Sequence, residues 1–266
     1  MPQALVTLTP AESKRLIAKA VARMDEVRKA LRRGTVVICL GTTNGYVAEE
    51  LGVKVDKSRF AAGVVLPKGT CALPLRGGVR EVVLRDGKRI DATLADVLDE
   101  LGPDDVVIKG ANALDPTWTA GVFLASEDGG TVGRFFGTVV SRGVNLVIPV
   151  GLEKLIPGSV DELSRRAGTR RFIHATGLPV GIAPLKGRVV TEIEAIGMLT
   201  GASAEVAGSG GVGGAEGSVT LLVSGSEKQL RALKDLVRRI KGERPLEINT
   251  DCKTCDFQTC FMKRQS

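Results

Sequence analysis

The chain has 266 residues, 43% of them hydrophobic and 25% charged, which is enough apolar sequence to bury a core and excludes a disordered protein. Aromatic residues make up only 3% and glycines number 33, so we expect a core of aliphatic side chains joined by tight turns. No apolar run reaches the roughly 20 residues that a membrane-spanning helix needs, and residues 1–9 lack a signal-peptide pattern, which predicts a cytoplasmic protein.

The net charge of +7 raises the question of nucleic-acid binding. The basic residues, however, are dispersed over two predicted helices, at residues 14–23 and 234–241, and the chain has one Trp and one Tyr to stack on bases. We interpret the charge as belonging to solvated helix surfaces that also attract anionic metabolites. We therefore predict neither a nucleic-acid partner nor a membrane partner.

The N-terminal region predicts a helix followed by a buried strand. Thr9 and Glu12 form the pattern of a capping box, apolar residues recur at helical spacing as far as residue 31, and Gly34 ends the element. Residues 35–40 are a continuous apolar run, which is typical of a central strand in a parallel sheet.

The strand leads into a turn at residues 41–45 and a predicted helix at residues 46–51. Farther along, the Asp86-Gly87 pair predicts a β-hairpin within residues 82–90. Beyond it, short apolar strands alternate with helices: helix 93–101, strand 106–108, strand 122–125, helix 132–141 and strand 146–150. This alternation predicts an α/β domain over residues 1–168, with a parallel Rossmann-like sheet flanked by helices.

The pattern then changes to that of a smaller unit. A helix with its own capping box begins at Thr191, two strands flank a glycine-rich loop at residues 208–217, and a last helix begins at Ser226. We predict a small α+β unit, ferredoxin-like, over residues 169–247, and a cysteine-rich tail over residues 248–266. The glycine-rich loop is either a mobile hairpin loop or a flap over a ligand.

In open α/β sheets, ligands bind beyond the carboxyl ends of the strands, and two loops of this chain follow such ends. The first consists of Gly41, Thr42, Thr43, Asn44 and Gly45. Its glycines permit tight backbone angles, its side chains are short and polar, and the next helix adds free N–H groups that favour a phosphate. The alternative interpretation is a plain strand-to-helix turn.

The second loop consists of Lys109, Gly110, Ala111, Asn112, Ala113, Leu114 and Asp115. We assign Lys109, which offers a positive charge, and Asp115, a candidate general base, as the catalytic residues. Gly110, Ala111 and Asn112 are the candidate ligand-binding residues, since a glycine lets the backbone approach a ligand closely. The alternative for Asp115 is that it shapes the turn before Pro116.

A Gly-Thr-Thr turn after an early strand, followed by a buried strand ending in Ile-x-Gly-Ala-x-x-x-Asp, resembles the superfamily of ribose-5-phosphate isomerase, glucosamine-6-phosphate deaminase and the CoA transferases. The resemblance covers roughly residues 10–150. It implies that residues 41–44 hold a sugar phosphate and that residues 109–113 correspond to the acidic loop used for proton transfer. By analogy with this scaffold, it also implies a homodimer.

The chain departs from that family in the second loop. Lys109 and Asn112 stand where the family has carboxylates, and Ala113 stands where it has a glutamate. An amide cannot carry a proton as a carboxylate does. The resemblance therefore predicts the fold and a bound phosphorylated or CoA-like molecule, and standard sugar-phosphate isomerisation is not predicted.

Three cysteines near the C-terminus, Cys252, Cys255 and Cys260, have the spacing C-x2-C-x4-C. Three thiolates so spaced can surround one centre, and we predict that they bind an iron–sulfur cluster or zinc. The fourth ligand stays open between Cys71, Cys39, Asp256 and a group from another subunit. The alternative is a flexible tail with free thiols.

Cys39 lies in the apolar strand and is interpreted as a core residue, whereas Cys71 lies in a predicted loop. The only histidine, His174, is interpreted as structural, with proximity to a ligand as the alternative.

Two functional hypotheses result. The first is an enzyme acting on an anionic substrate, and the second is a non-catalytic protein that senses a metabolite or redox state.

Overall fold

The computed structural model describes residues 1–74 and 79–248, together with residues 250, 252, 260 and 261. The described residues form fourteen strands and eight α-helices. The strands are β1 (Gln3–Leu8), β2 (Thr35–Ile38), β3 (Gly63–Leu66), β4 (Gly69–Ala72), β5 (Val82–Arg85), β6 (Lys88–Ile90), β7 (Val106–Ile108), β8 (Ala113–Leu114), β9 (Ala120–Leu124), β10 (Asn145–Pro149), β11 (Gly181–Leu185), β12 (Arg188–Val190), β13 (Ser203–Ser209) and β14 (Val219–Ser224). The helices are α1 (Pro10–Val21), α2 (Asp25–Arg33), α3 (Thr42–Glu50), α4 (Leu94–Val97), α5 (Gly130–Arg142), α6 (Val160–Arg166), α7 (Glu192–Thr200) and α8 (Glu227–Ile240).

The largest sheet has six strands in the order β12-β10-β7-β2-β5-β6. The first four run parallel to one another, and the hairpin β5–β6 adds two antiparallel strands beside β2. The predicted α/β class is therefore confirmed, but the sheet is mixed. The predicted hairpin turn is also confirmed, since Asp86 and Gly87 both have the positive φ angles, 50° and 73°, that a two-residue turn of this kind needs.

A second sheet, β1-β14-β13, is antiparallel and includes the first strand of the chain. Strand β1 lies outside the elements predicted from the sequence. Its pairing with β14 crosses the predicted domain boundary at residue 168, and so does the pairing of β12 with β10 in the large sheet. Strand β11, at which no strand was predicted, pairs with β9.

The predicted first helix is two helices. Helix α1 ends at Val21, and α2 begins at Asp25 after Met24, whose ψ of 139° is extended. The break places Asp25 and Glu26 in the first turn of α2, where acidic side chains interact well with the helix dipole. The capping boxes at Thr9 and Thr191 form as predicted, and the last helix begins after Ser226, which also forms a capping box.

The core is aliphatic, as the composition implied. All four residues of β2 and all three of β7 are buried, and α1 packs on α3 and α7. Each such side chain stabilises the fold by roughly 1.5–3 kcal/mol through burial, so the two neighbouring strands are a rigid base for the loops that follow them. Among the described residues, no helix is both long and apolar enough to cross a bilayer.

Candidate functional site

A cavity of about 1180 Å³ opens at the carboxyl ends of β2 and β7. These strands are parallel neighbours, with Ile38 opposite Ile108, so both predicted loops leave the sheet at the same level. The structure brings the following predicted residues onto the wall of this one cavity: Gly41, Thr42, Thr43, Lys109, Gly110, Ala111 and Asn112.

The first loop is the start of helix α3, which begins at Thr42, four residues earlier than predicted. Gly41 is its N-cap residue, and no side chain caps the helix. The backbone N–H groups of the first turn therefore have no acceptor within the helix, and they carry the positive end of its dipole. Thr42 and Thr43 add hydroxyl groups on the same cavity wall.

Asn44 and Gly45 support the loop from behind and do not line the cavity. The fully buried Asn44 donates from Nδ2 to the carbonyls of Cys39 (2.8 Å) and Ile108 (3.1 Å), so it ties the ends of β2 and β7 together. Gly45 lies inside α3, where a β-carbon would stand 3.2 Å from Lys57 Cγ. These two residues hold the site in shape.

The second loop presents an amine and backbone to the cavity. The Nζ atom of Lys109 donates weakly to the carbonyl of Gly110 at 3.3 Å. Asn112 accepts a hydrogen bond from Phe123 N at 3.0 Å, which fixes its side-chain oxygen to β9. Burial, and then the charge of Lys154, lowers the pKa of Lys109.

Asp115 lies away from the cavity wall. Its Oδ1 accepts from Thr117 N, Thr117 Oγ1 and Thr119 N at 2.7–3.0 Å, and its Oδ2 accepts from Val160 N at 2.9 Å. Although burial opposes its charge, these bonds hold its pKa below the usual value. The carboxylate is thus occupied in joining the turn to α6, which matches the turn-shaping alternative.

Positive charge dominates the cavity wall. The charged lining residues among those described are Lys14, Arg80, Lys109, Arg134 and Lys154, against Glu81 and Glu216. Arg80 is already paired with Asp91. Neither Lys14 nor Lys109 has a carboxylate within ion-pair distance in the part of the chain that the structure describes. An anionic ligand would find two unpaired amines here.

Lys14, on α1, was not predicted as a site residue. Burial and the nearby charge of Lys154 lower its pKa to about 8, against the opposing influence of Glu153 and Glu192. The three lysines at positions 14, 109 and 154 come from α1, from the end of β7 and from a short 3₁₀ helix (Leu152–Lys154) after β10. No local sequence signal connects them, so only the folded chain reveals the group.

A buried polar group lies behind Lys14. Glu192 is fully buried, and its Oε2 accepts from Leu152 N at 2.9 Å. Burial and then the charge of Glu153 raise its pKa to about 7. A hydrogen bond with Ser13 acts in the opposite direction, and Glu153 Oε2 has no hydrogen-bond partner within the described residues.

The fully buried Tyr46 is one of the residues that line the cavity. Arg15 and Lys57 lie 4.8 Å and 4.7 Å from the ring centre, as cation–π contacts. Arg15 also pairs with Glu49, Glu50 and Glu243, so the ring is held firmly. The Tyr46 hydroxyl has no hydrogen-bond partner in the described structure.

The glycine-rich loop between β13 and β14 reaches the same cavity through Gly214 and Glu216. Gly213, Gly214 and Gly217 have positive φ angles, which other residues rarely adopt. The loop is thus in the position that a flap requires. His174 lies outside the cavity wall, with its ring 5.7 Å from that of Phe261.

Of the cysteines, Cys39 is fully buried, and burial raises its pKa to about 12, as suits a core residue. Cys71, on β4, lines the cavity, while Cys252 and Cys260 are half-buried and Cys255 lies outside the described residues. Within the described ranges, no group of three or more His, Cys, Asp or Glu side chains is close enough to hold a metal ion.

Comparisons of the chain with protein-family models, with curated proteins and with solved structures gave no match.

Proposed function

We propose that the cavity binds a phosphorylated or CoA-like small molecule, with an anionic group at the start of α3, on a scaffold like that of the ribose-5-phosphate isomerase superfamily. One observation carries the proposal: the uncapped N-terminus of α3 and the Lys109 amine line the same cavity. Helix N-termini offer several N–H donors to one phosphate group, and a lysine adds a full charge.

Electrostatics support an anion in particular. Burial opposes the charge of Lys109 and Lys14, and Lys154 disfavours the charge of both. A phosphate among these amines would compensate their charges and raise their pKa values again. Part of the cost of holding three amines near one another is thus recovered when the anion binds.

The size of the cavity favours an extended ligand. Typical ligand pockets measure about 300–1,000 Å³, and this cavity has about 1180 Å³. A lone sugar phosphate would leave much of it filled with water. A CoA-like molecule, or a phosphorylated substrate with a second reactant, would fill it better, and aliphatic residues such as Val65, Leu66 and Leu246 line its farther parts.

For an enzymatic function, we assign the reactive role to Lys109. Lys109 is the amine at the cavity wall beside the start of α3, and an amine can accept a proton or attack a carbonyl carbon of the bound molecule when it is neutral. We do not assign that role to Asp115, whose two oxygens accept four hydrogen bonds.

The second candidate function is non-catalytic sensing of a metabolite or redox state. The observation that favours it is the lack of a carboxylate at residues 109–112, where the resembling isomerases carry theirs. Both candidate functions require that the cavity binds an anion. They differ in whether the protein converts the bound molecule into a product.

The proposal is tested by calorimetric titration of the full chain with pyrophosphate, ribose 5-phosphate and coenzyme A. The variant Lys109→Met removes a charged contact worth about 1.5–3 kcal/mol, so we expect affinity for the ligand that binds to fall by roughly 10–100-fold. Lys234→Met is the matched control, because it removes the same charge from the exposed surface of α8. We expect it to change affinity by no more than about twofold.

Equal affinities in wild type and Lys109→Met, or no binding of any of the three probes, would contradict the proposal. Turnover decides between the two candidates. Mass spectrometry of a mixture of phosphorylated aldehydes, ketones and acyl-CoA compounds, incubated with the protein, detects a product only if the protein is an enzyme.

A further inference from the structure

Glu81 is a buried acidic residue on the wall of the cavity. It is only 8% exposed, and it lines the cavity just before β5 begins at Val82. Among the residues that the structure describes, none forms an ion pair with its carboxylate or donates a hydrogen bond to it. Burial of a carboxylate is unfavourable unless a donor binds it. We therefore expect that donor to come from the contents of the cavity.

The register of the large sheet places Glu81 and Lys109 on opposite sides of Cys39. Ile38 of β2 pairs with Val82 on one side and with Ile108 on the other. The residues one step nearer the cavity on the three strands are Glu81, Cys39 and Lys109. Because successive residues of a strand alternate between its faces, these three side chains share one face of the sheet.

A carboxylate and an amine thus stand at one level of the cavity wall, with β2 between them. Neighbouring strands lie about 4.8 Å apart, so the backbones of Glu81 and Lys109 are separated by roughly 10 Å. Burial raises the pKa of Cys39 to about 12, and the charges of Lys109 and Glu81 act on this pKa in opposite directions, as their positions on either side of the thiol require. One bound molecule can contact both charged groups.

Glu81 differs from the other acidic residue that lines the cavity within the described part of the chain. That residue, Glu216, is exposed, and its Oε2 accepts a hydrogen bond from Gly214 N at 2.9 Å. Arg80, which precedes Glu81, pairs with Asp91. The buried carboxylate of Glu81 is therefore the acidic group best placed to bind a molecule in the cavity.

We propose that Glu81 accepts hydrogen bonds from the bound molecule, so that the cavity selects a ligand with an O–H or N–H donor beside its anionic group. This inference rests on the anion-binding function proposed above. Gly41, at the start of α3, is two residues beyond Cys39, which is at most about 7 Å along the chain. A molecule of a few carbon atoms can therefore reach from the start of α3 to Glu81.

The carboxylate acts in opposite directions on the two parts of such a ligand. Its charge repels the anionic group, whereas its oxygens bind the donor. Loss of the carboxylate should therefore weaken the binding of a phosphate ester that has a donor, and should leave equal or strengthen the binding of one that has none. A residue that only supported the cavity wall would change both affinities in the same direction.

The test is calorimetric titration of the full chain with ribose 5-phosphate, 5-aminopentyl phosphate and n-pentyl phosphate. All three have one phosphate on a five-carbon chain, and they carry hydroxyl donors, an ammonium donor and no donor, respectively. In Glu81→Met, we expect affinity for ribose 5-phosphate or 5-aminopentyl phosphate to fall by roughly tenfold or more. The affinity for n-pentyl phosphate should stay equal or rise. Which of the two donor-bearing probes loses affinity identifies the donor as a hydroxyl or an ammonium.

Two further variants complete the set. Glu205→Met is the matched control, because it removes the same charge from an exposed position on β13, and it should change each affinity by no more than about twofold. Glu81→Gln keeps the side-chain size and one acceptor oxygen, so it serves if Glu81→Met does not fold. It should weaken the same probe, by less. Circular dichroism melts show whether each variant folds.

An unchanged ratio between the affinities for the donor-bearing probes and for n-pentyl phosphate, in a folded Glu81 variant, would overturn the role of Glu81. An equal loss of affinity for all three probes would do the same, since it shows a structural role. If n-pentyl phosphate binding is also weakened by Lys109→Met, the anion site stands and only the role of Glu81 fails. If wild type binds none of the three probes, both proposals fail.

Discussion

The buried carboxyl group of Glu192 gives the protein a pH-dependent stability that one substitution should remove. Burial and the charge of Glu153 raise its pKa from 4.5 to about 7 in the folded chain. Between these two values the folded state holds a proton that the unfolded state has released. The free energy of unfolding of the wild type therefore falls as pH rises through this range, and levels off above about 7.

The size of the effect follows from the shift. Each pKa unit corresponds to about 1.4 kcal/mol, so the ionised carboxylate costs the wild type about 3 kcal/mol at pH 8 relative to pH 4.5. Glu192→Gln has no charge to bury, and its amide can still accept the hydrogen bond from Leu152 N. The stability of the variant minus that of the wild type should therefore grow by about 3 kcal/mol across the same range.

The assay is urea denaturation followed by circular dichroism, at intervals from pH 4.5 to pH 8. Comparing the two proteins at each pH cancels the titration of all groups that they share. Glu205→Gln, which removes an exposed carboxylate on β13, provides the baseline for the loss of one negative charge. A flat difference between Glu192→Gln and wild type, or one that shrinks as pH rises, would refute the burial argument.

Two further predictions concern the cavity and the turn beside it. The pKa of Lys14 is about 8, so wild-type affinity for pyrophosphate should fall by up to about tenfold per pH unit above that value, as the ammonium is lost. In Lys14→Gln this dependence should be weaker, since only Lys109 then titrates beside the anion, and calorimetric titrations from pH 7 to pH 9.5 that give parallel curves for both proteins would contradict the assignment. Asp115→Asn should lower the free energy of unfolding by about 2–3 kcal/mol. The Asn side chain has an NH₂ group in place of one carboxylate oxygen, and this group would face an N–H donor with which it cannot form a hydrogen bond. Denaturation measures this loss, and unchanged stability would show that the four hydrogen bonds of Asp115 matter little.

Local sequence signals predicted local structure well. The capping boxes at Thr9, Thr191 and Ser226 and the Asp86-Gly87 turn all form, because each depends on residues within a few positions of one another. The break between α1 and α2 was missed, since the apolar spacing continues through it and no proline or glycine marks it.

Long-range structure was harder to predict. The pairing of β1 with β14 joins positions more than two hundred residues apart. The sequence next to β1 has no turn motif that would indicate a partner strand. For the same reason the sequence could place Lys109 at a strand end but could not show that Lys14 would share its cavity. The two loops themselves were predictable, because the carboxyl ends of adjacent parallel strands meet at one edge of a sheet.

The position of β1 has a consequence for how the chain is made. All six strands of the large sheet have been synthesised once residue 190 has emerged from the ribosome, yet the partner of β1 arrives only with residues 219–224. Until then β1 must wait unpaired, and afterwards β14 becomes the central strand of its sheet by accepting β1 on one side and β13 on the other. A nascent chain that lost β1 would instead expose the edge of β14, and such an exposed edge invites pairing with another molecule. The first strand is thus paired late, and it covers one edge of β14 in the finished protein.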